Sequence, residues 1–225
     1  MARRLLSFAF ITGCCVAPLV GQQQVVMSER FDAGLGSWER VRLDRRQTSY
    51  STTTTSGEQV LVATSQNSAA AFLRRIETPP PDRAVLEWRW RISESLTDNE
   101  RERERRGDDY AARVFVIFGD EPFERGTRAL SYVWAGQEPV GAEYRNPVIG
   151  DVATFVVRSG DASAGRWVRE QRNLMADFED AFGERPPGIT GVAVLVDTDD
   201  TGSSAISWFD DFVLEVAPAE QGPIR

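Results

Sequence analysis

The chain contains no histidine, and all 26 of its basic residues are arginine, so lysine is missing too. These gaps exclude whole mechanisms. Without histidine there is no Ser-His-Asp triad, no Cys-His nucleophile and no histidine-ligated zinc. Without lysine there is no Schiff-base chemistry. A metal would have to sit among carboxylate and carbonyl oxygens, which suits calcium, magnesium or manganese. Cysteine is scarce as well: Cys14 and Cys15 are the only two, and both lie in the first 21 residues. The remainder has no disulfide and depends on packing. Positive charge is in deficit, with a formal net charge of −8, which disfavours a nucleic-acid partner. Apolar runs are short. The longest is Leu5 to Val20, broken by Pro18, whereas a membrane span takes about 20 apolar residues.

What is present starts with a leader. Arg3 and Arg4 form a positive n-region, Leu5 to Val20 an apolar h-region, and Gly21 a small residue at a cleavage junction. Residues 1–21 therefore read as a secretory signal, which places the protein in the periplasm or outside the cell with no transmembrane helix in its mature form. Ile11-Thr12-Gly13-Cys14 also fits a lipobox, so a lipid anchor on Cys14 is the rival. Residues 22–28 read as a linker, 29–217 as one domain and 218–225 as a frayed tail.

The domain is patterned as strands. Leu86, Trp88, Trp90 and Ile92 alternate with Glu87, Arg89 and Arg91, the period-two signature of a half-buried strand. Tyr110–Phe118 is a second strong strand. Thr48–Thr55, Gln59–Ser65, Ala70–Ile76, Ala129–Ala135, Val152–Arg158, Arg166–Arg172, Ile189–Val196 and Ala205–Val216 follow the same logic. Thr78 to Asp82 reads as loop, because its three prolines cannot donate to a ladder. The charged run Glu100–Arg106 reads as a solvated loop or helical turn. One helix is expected near residues 173–183, capped by Asn173, with Leu174, Phe178 and Phe182 on one face and Gly183 at its end. About ten strands and one short helix predict an all-β, jelly-roll-like β-sandwich of two antiparallel sheets.

Five runs carry a family resemblance: Trp88–Arg91, Gly107–Arg113, Tyr132–Ala135, Trp167–Asn173 and Asp197–Gly202. Their order resembles a bacterial family known as domain of unknown function 3047, over roughly Glu29 to Val216. Asp200 stands where that family's pattern implies asparagine. More distantly, Glu29-Arg30-Phe31-Asp32 with Gly34, Gly36 and Trp38, together with Phe209–Leu214, resembles the opening and closing strands of galactose-binding-like jelly rolls. That resemblance implies that the first and last strands lie close together. It also implies a structural Ca2+ held by Glu29, Asp32 and Asp211.

The candidate ligand-binding residues are Asp108, Asp109, Arg113, Tyr132, Trp134, Arg172, Asp197 and Asp199. Asp108 and Asp109 suit ligand hydroxyls or a cation, and equally an Asx-capped turn paired locally with Arg113. Asp197 and Asp199 share a side if the preceding strand continues. Carboxylates so spaced bind calcium, act as an acid–base pair, or simply form a polar turn. Tyr132 and Trp134 share a strand face, suited to stacking on a sugar or to a sandwich core. Trp88 and Trp90 are assigned to the core, and Arg172, at the helix start, to the site. The leading expectation is non-catalytic binding of a carbohydrate or other polar ligand. The alternatives are a glycosidase-like hydrolase using Asp108, Asp109, Asp197 and Asp199, and a structural envelope protein. For the exported protein, mass spectrometry should find an N-terminus near Gln22; an intact Met1 would contradict the signal peptide, and a diacylglyceryl Cys14 would establish the anchor.

Overall fold

The computed structural model describes residues 23–119, 121–122 and 127–219. The expected leader, its lipobox and the tail beyond Ala219 lie outside the described residues. Thirteen strands are described: β1 Gln24–Glu29, β2 Glu39–Arg42, β3 Ser49–Thr55, β4 Glu58–Gln66, β5 Ala70–Arg75, β6 Pro81–Ile92, β7 Ala112–Phe118, β8 Arg128–Ala135, β9 Glu143–Arg145, β10 Val152–Ser159, β11 Val168–Asn173, β12 Ile189–Leu195 and β13 Ser204–Pro218. One helix, α1, spans Leu174–Phe182. All ten expected strands are among them. The strands not foreseen are β1, β2 and β9, all short. Two expectations on boundaries are corrected. Residues 24–28 form β1 rather than a linker. Pro81 and Asp82 belong to β6, because proline is tolerated as the first residue of a strand, where its missing N–H breaks no interior ladder.

The strands form two sheets packed face to face, the jelly-roll-like sandwich expected. The first runs β11-β6-β13-β4-β3, with β1 also paired to β13; the second runs β2-β5-β12-β7-β8-β10-β9. The pairs are antiparallel with one departure, the parallel pair β8–β10. The first and last strands do meet: β1 pairs with β13, Glu29 opposite Phe212. A bulge lies between Asp210 and Val213, where β13 stops pairing with β4 and takes β1 instead. Asp211 there has φ 52°, a left-handed conformation that a bulge accommodates.

Between the sheets lies an aromatic layer. Alternation along β6 sends Ala84, Leu86, Trp88, Trp90 and Ile92 inward, each fully buried. Trp88 faces Tyr132 with ring centroids 5.5 Å apart, and Trp90 faces Trp134 at 5.7 Å. Trp134 is 0% exposed and donates its indole N–H to the Gly160 carbonyl at 3.0 Å. A stacking platform needs an open face, so Trp134 takes its core alternative. Tyr132 is equally buried, its hydroxyl donating to Asp177 at 2.7 Å.

The helix ends follow their local chemistry. Asn173 accepts from the Met175 and Ala176 amides, and Gly183 closes the helix in the left-handed region with its N–H on the Glu179 carbonyl. The charged run 100–106 is a turn ending in a short 3-10 segment, as expected, yet Glu102 within it is 2% exposed. Its carboxylate accepts from the Gly136, Gln137 and Glu138 amides, which satisfies a buried loop. Truncating Trp134 to alanine should cost about 3–5 kcal/mol of unfolding free energy. Urea denaturation checks this; a melt unchanged from the parent chain would remove Trp134 from the core.

Candidate functional site

Strand β7 supplies the centre of the site. Its outward residues are Arg113, Phe115 and Ile117, since Val114, Val116 and Phe118 fill the sandwich core. The neighbours β8, β10 and β12 add Ala129, Val152 and Leu195 to the same outer face, making a small apolar cluster on the back of the seven-stranded sheet. Loops rise around it and leave a cavity of about 320 Å3. Its floor is this apolar cluster. One wall is acidic, formed by Asp108, Asp197, Asp199 and Asp200 with Arg113; Asn146, Val148 and Ile149 also line the cavity.

The acidic wall is organised around the buried Arg113. Its guanidinium lies 3.1 Å from Asp108 and 3.2 Å from Asp197, and also donates to the Asp108 carbonyl at 2.8 Å. The Tyr110 ring lies 4.4 Å from it. Asp108 accepts a further bond from the Asn146 amide at 2.7 Å, and Asp197 one from the Tyr110 N–H at 3.1 Å. Burial opposes the charge on Arg113, but the two carboxylates more than offset this and raise its pKa. Arg113 Nε is buried without a hydrogen-bond partner.

Asp109 has a different task. It is fully buried, and its carboxylate accepts from the Thr201 N–H and hydroxyl, both at 2.6 Å, and from the Asp200 N–H at 3.3 Å. It folds the 197–202 loop into place and does not line the cavity. The two family-like Asp runs therefore converge, as a shared site requires. Strand β12 stops at Leu195, so Asp197 and Asp199 lie on a loop, not on one strand face. Asp197 turns inward to Arg113, while Asp199 is half-buried and Asp200 exposed. Burial raises the Asp197 pKa well above the usual range, with Arg113 opposing and Asp109 and Asp108 adding. Asp199 is raised by burial and then by Asp109. Asp200 is pushed up to about 6, by burial first and then by Asp109 and Asp199. Among the described residues, neither Asp199 nor Asp200 has an ion-pair partner.

Arg172 is not in this cavity. It forms a two-pronged pair with Asp177 at 2.9 and 2.6 Å and lies over the Tyr132 ring, fastening α1 to the sandwich. Tyr132 and Trp134 face the core, on the far side of the sheet from the cavity. Of the eight expected ligand residues, Asp108, Arg113, Asp197 and Asp199 line the cavity. Asp200, Phe115 and Asn146 join them without having been singled out for binding. Asp200 had a signal, as the departure from the family pattern; Asn146 had none.

Glu29 and Asp211, expected as calcium ligands, are engaged by other groups of the protein. Glu29 accepts from the Phe31 N–H, the Ser37 hydroxyl and the Trp38 indole N–H, which staples the β1–β2 loop. Asp211 is faced by Arg30, Arg89 and Arg169. Asp32 is exposed. Among the described residues, no three carboxylates gather as a metal group.

Residues 36–213 match a family described as protein of unknown function (DUF3047). No curated protein matches the chain. Among solved structures, the cellulose-induced protein Cip1 is similar at 15% identity, covering 87% of this chain and 100% of that one, with a TM-score of 0.52. The K3 adhesin domain of Lys-gingipain from Porphyromonas gingivalis is 16% identical, covering 85% and 98%, with a TM-score of 0.44. A family 11 carbohydrate-binding module of a Clostridium thermocellum cellulase is 7% identical, covering 90% and 98%, at 0.43. At these identities the likeness is one of fold.

The Asp200 pKa has a consequence for stability. A folded pKa of about 6, above the ordinary 3.8, means the folded state holds the proton more tightly than the unfolded chain. Stability therefore falls as pH rises between about 4 and 6, and the whole penalty is present above 6. Asp200→Asn should raise the melting temperature at pH 8 by an amount worth less than about 1 kcal/mol, since the group is largely solvent-screened. The gain should vanish below about pH 4. Melts of both proteins across this range check it; a pH-independent difference would contradict it.

Proposed function

The chain belongs to the DUF3047 family, and we propose that it is an exported binding module that holds a carbohydrate or similar polyhydroxylated ligand in the cavity behind the seven-stranded sheet. The observation that carries this reading is the pairing of an apolar floor with an acidic wall. A sugar ring has one apolar face and a rim of hydroxyl donors. Phe115, Val148 and Ile149 offer the surface for the face; Asp199 and Asp200 offer acceptors for the rim. Charge-assisted hydrogen bonds of this kind orient a ligand more strongly than neutral ones. The signal-like leader supports export, and the jelly-roll fold shared with Cip1 agrees with a binding module without assigning a ligand.

The reading is non-catalytic because the most buried carboxylates are already engaged. Asp108 and Asp197 are tied to Arg113, and Asp109 to Thr201. A glycosidase needs two available carboxyl groups facing each other across a cleft; Asp199 and Asp200 are adjacent on one loop. One observation favours the hydrolase instead, namely the Asp200 pKa of about 6, which suits a general acid. A glycan array followed by calorimetric titration separates the two. Asp199→Asn and Asp200→Asn should each weaken the selected glycan about ten- to a hundredfold, while Trp134→Phe should leave its affinity unchanged. Release of new reducing ends during incubation would replace the binding module with the hydrolase. Unchanged affinity in both Asp variants would remove the cavity as the site.

A further inference from the structure

The outer face of the six-stranded sheet carries a second constellation, on the side of the molecule away from the cavity. Arg91 points outward from β6, because Trp90 and Ile92 point in. Its cross-strand neighbour on β13 is Trp208, and its guanidinium lies 4.1 Å from the centre of that indole ring. Trp167, just before β11, flanks it on the other side at 5.4 Å. The register that sets Val168 opposite Trp90 brings Trp167 opposite Arg91. A cation thus sits between two tryptophans in one row across β11, β6 and β13. The row continues through Val62 on β4, and Ile206 lies two residues before Trp208 on the same face, 39% exposed.

What distinguishes Arg91 is the partner it lacks. Its neighbour Arg89 is paired with Glu58, Asp210 and Asp211. Arg169, on the same face, is paired with Asp211. Arg91 has neither an ion pair nor a hydrogen bond among the described residues, and its Nε is buried without an acceptor. Burial lowers its pKa with no acidic neighbour to offset the effect. In an acidic chain, net charge −8, this guanidinium lies without a carboxylate between two half-buried indoles, while Arg89 and Arg169 on the same face are paired. Indole faces stack on sugar rings, and guanidinium binds carboxylate through a planar two-pronged contact. Two strand spacings, about 10 Å, separate the outer strands of the row, comparable to the span of a disaccharide. The runs Trp88–Arg91 and Trp167–Asn173, which carry the family resemblance, both feed this face, although none of their residues lines the cavity.

We propose that this face is a second binding site, for a uronate-containing polysaccharide, whose rings lie along Trp167 and Trp208 and whose carboxylate pairs with Arg91. Calorimetric titration with polygalacturonate tests it, with fully methyl-esterified polygalacturonate as the charge-free counterpart. Polygalacturonate should bind, and the methyl ester at least about tenfold more weakly, a difference of about 1.4 kcal/mol. Arg91→Gln should weaken polygalacturonate binding about tenfold or more, and Arg91→Lys less so, because it restores charge without the planar fork. Trp208→Ala should weaken it as well, with a thermal melt checking that the sheet is intact; Arg91→Gln, outside the core, carries the test if that melt fails. The proposal is overturned if polygalacturonate does not bind, if its ester binds equally, or if Arg91→Gln leaves the affinity unchanged. Binding of dextran sulfate in place of polygalacturonate would overturn the uronate assignment. The Arg91 and Trp208 variants, which lie away from the cavity, separate this site from any binding there.

Discussion

A single buried cation organises the loop end of this molecule. Arg113 leaves the middle of the seven-stranded sheet and is 3% exposed, where an unpaired charge would be prohibitively costly. It is held by Asp108 from the segment before its own strand and by Asp197 from the loop after β12. Those carboxylates are buried in turn, so each needs the guanidinium as much as it needs them. Asp108 passes the constraint to Asn146, whose carbonyl accepts from the Val148 and Ile149 amides and shapes the β9–β10 loop. Asp197 passes it to the Tyr110 amide, and Asp109 beside it grips Thr201. Three segments, residues 108–110, 146–149 and 197–201, are thereby placed by one group. The cavity is the space they enclose.

That arrangement explains which parts of the architecture were legible in the sequence. Period-two alternation revealed strands such as β4 and β6, which bury one row of side chains and show more of the other, whereas β7, β8 and β12 are buried on both faces and read as apolar runs. β6 is the clearest case, with tryptophan inward and arginine outward over consecutive pairs. β2 and β9 are four and three residues long, too short for alternation to register. β1 has mostly exposed residues and takes its order from pairing with β13, a partner almost two hundred residues away. The parallel β8–β10 pair was invisible for the same reason: direction of pairing is a property of the connection, not of either strand.

The site was half legible, and the reason lies in β8. Its residues read Ala129-Leu130-Ser131-Tyr132-Val133-Trp134-Ala135, and both faces are buried. The aromatic row is larger and fills the interior; the small row, Ala129, Ser131 and Val133, lies under the loops on the outer face. Alternation alone says that Tyr132 and Trp134 share a face, never which face. Arg172 misled differently. Its proximity to the helix start was real, but that proximity serves Asp177 within the first turn of α1. The Asp runs were recognised because their residue types are unusual beside apolar strands, and such groups are buried only where partners await them.

The two outer faces of the sandwich divide the chemistry of the chain. Behind the seven-stranded sheet, acidic loops surround an apolar floor, and the positive charge present is consumed internally by Asp108 and Asp197. On the six-stranded sheet, arginines project from β6 and β11, and carboxylates at the β13 bulge neutralise Arg89 and Arg169. The bulge exists because β13 must change partners from β4 to β1. Its left-handed Asp211 places a carboxylate among Arg30, Arg89 and Arg169 rather than in the ladder. Arg91 lies two residues further along β6 from Arg89, beyond the reach of that carboxylate pair, and its flanking side chains are indoles. Neutralisation therefore stops one residue pair short of Arg91 for a topological reason, the position of the bulge. A face whose pairing is set by strand exchange in this way leaves its uncompensated cation at a fixed place in the sheet, held rigidly by the ladder on both sides.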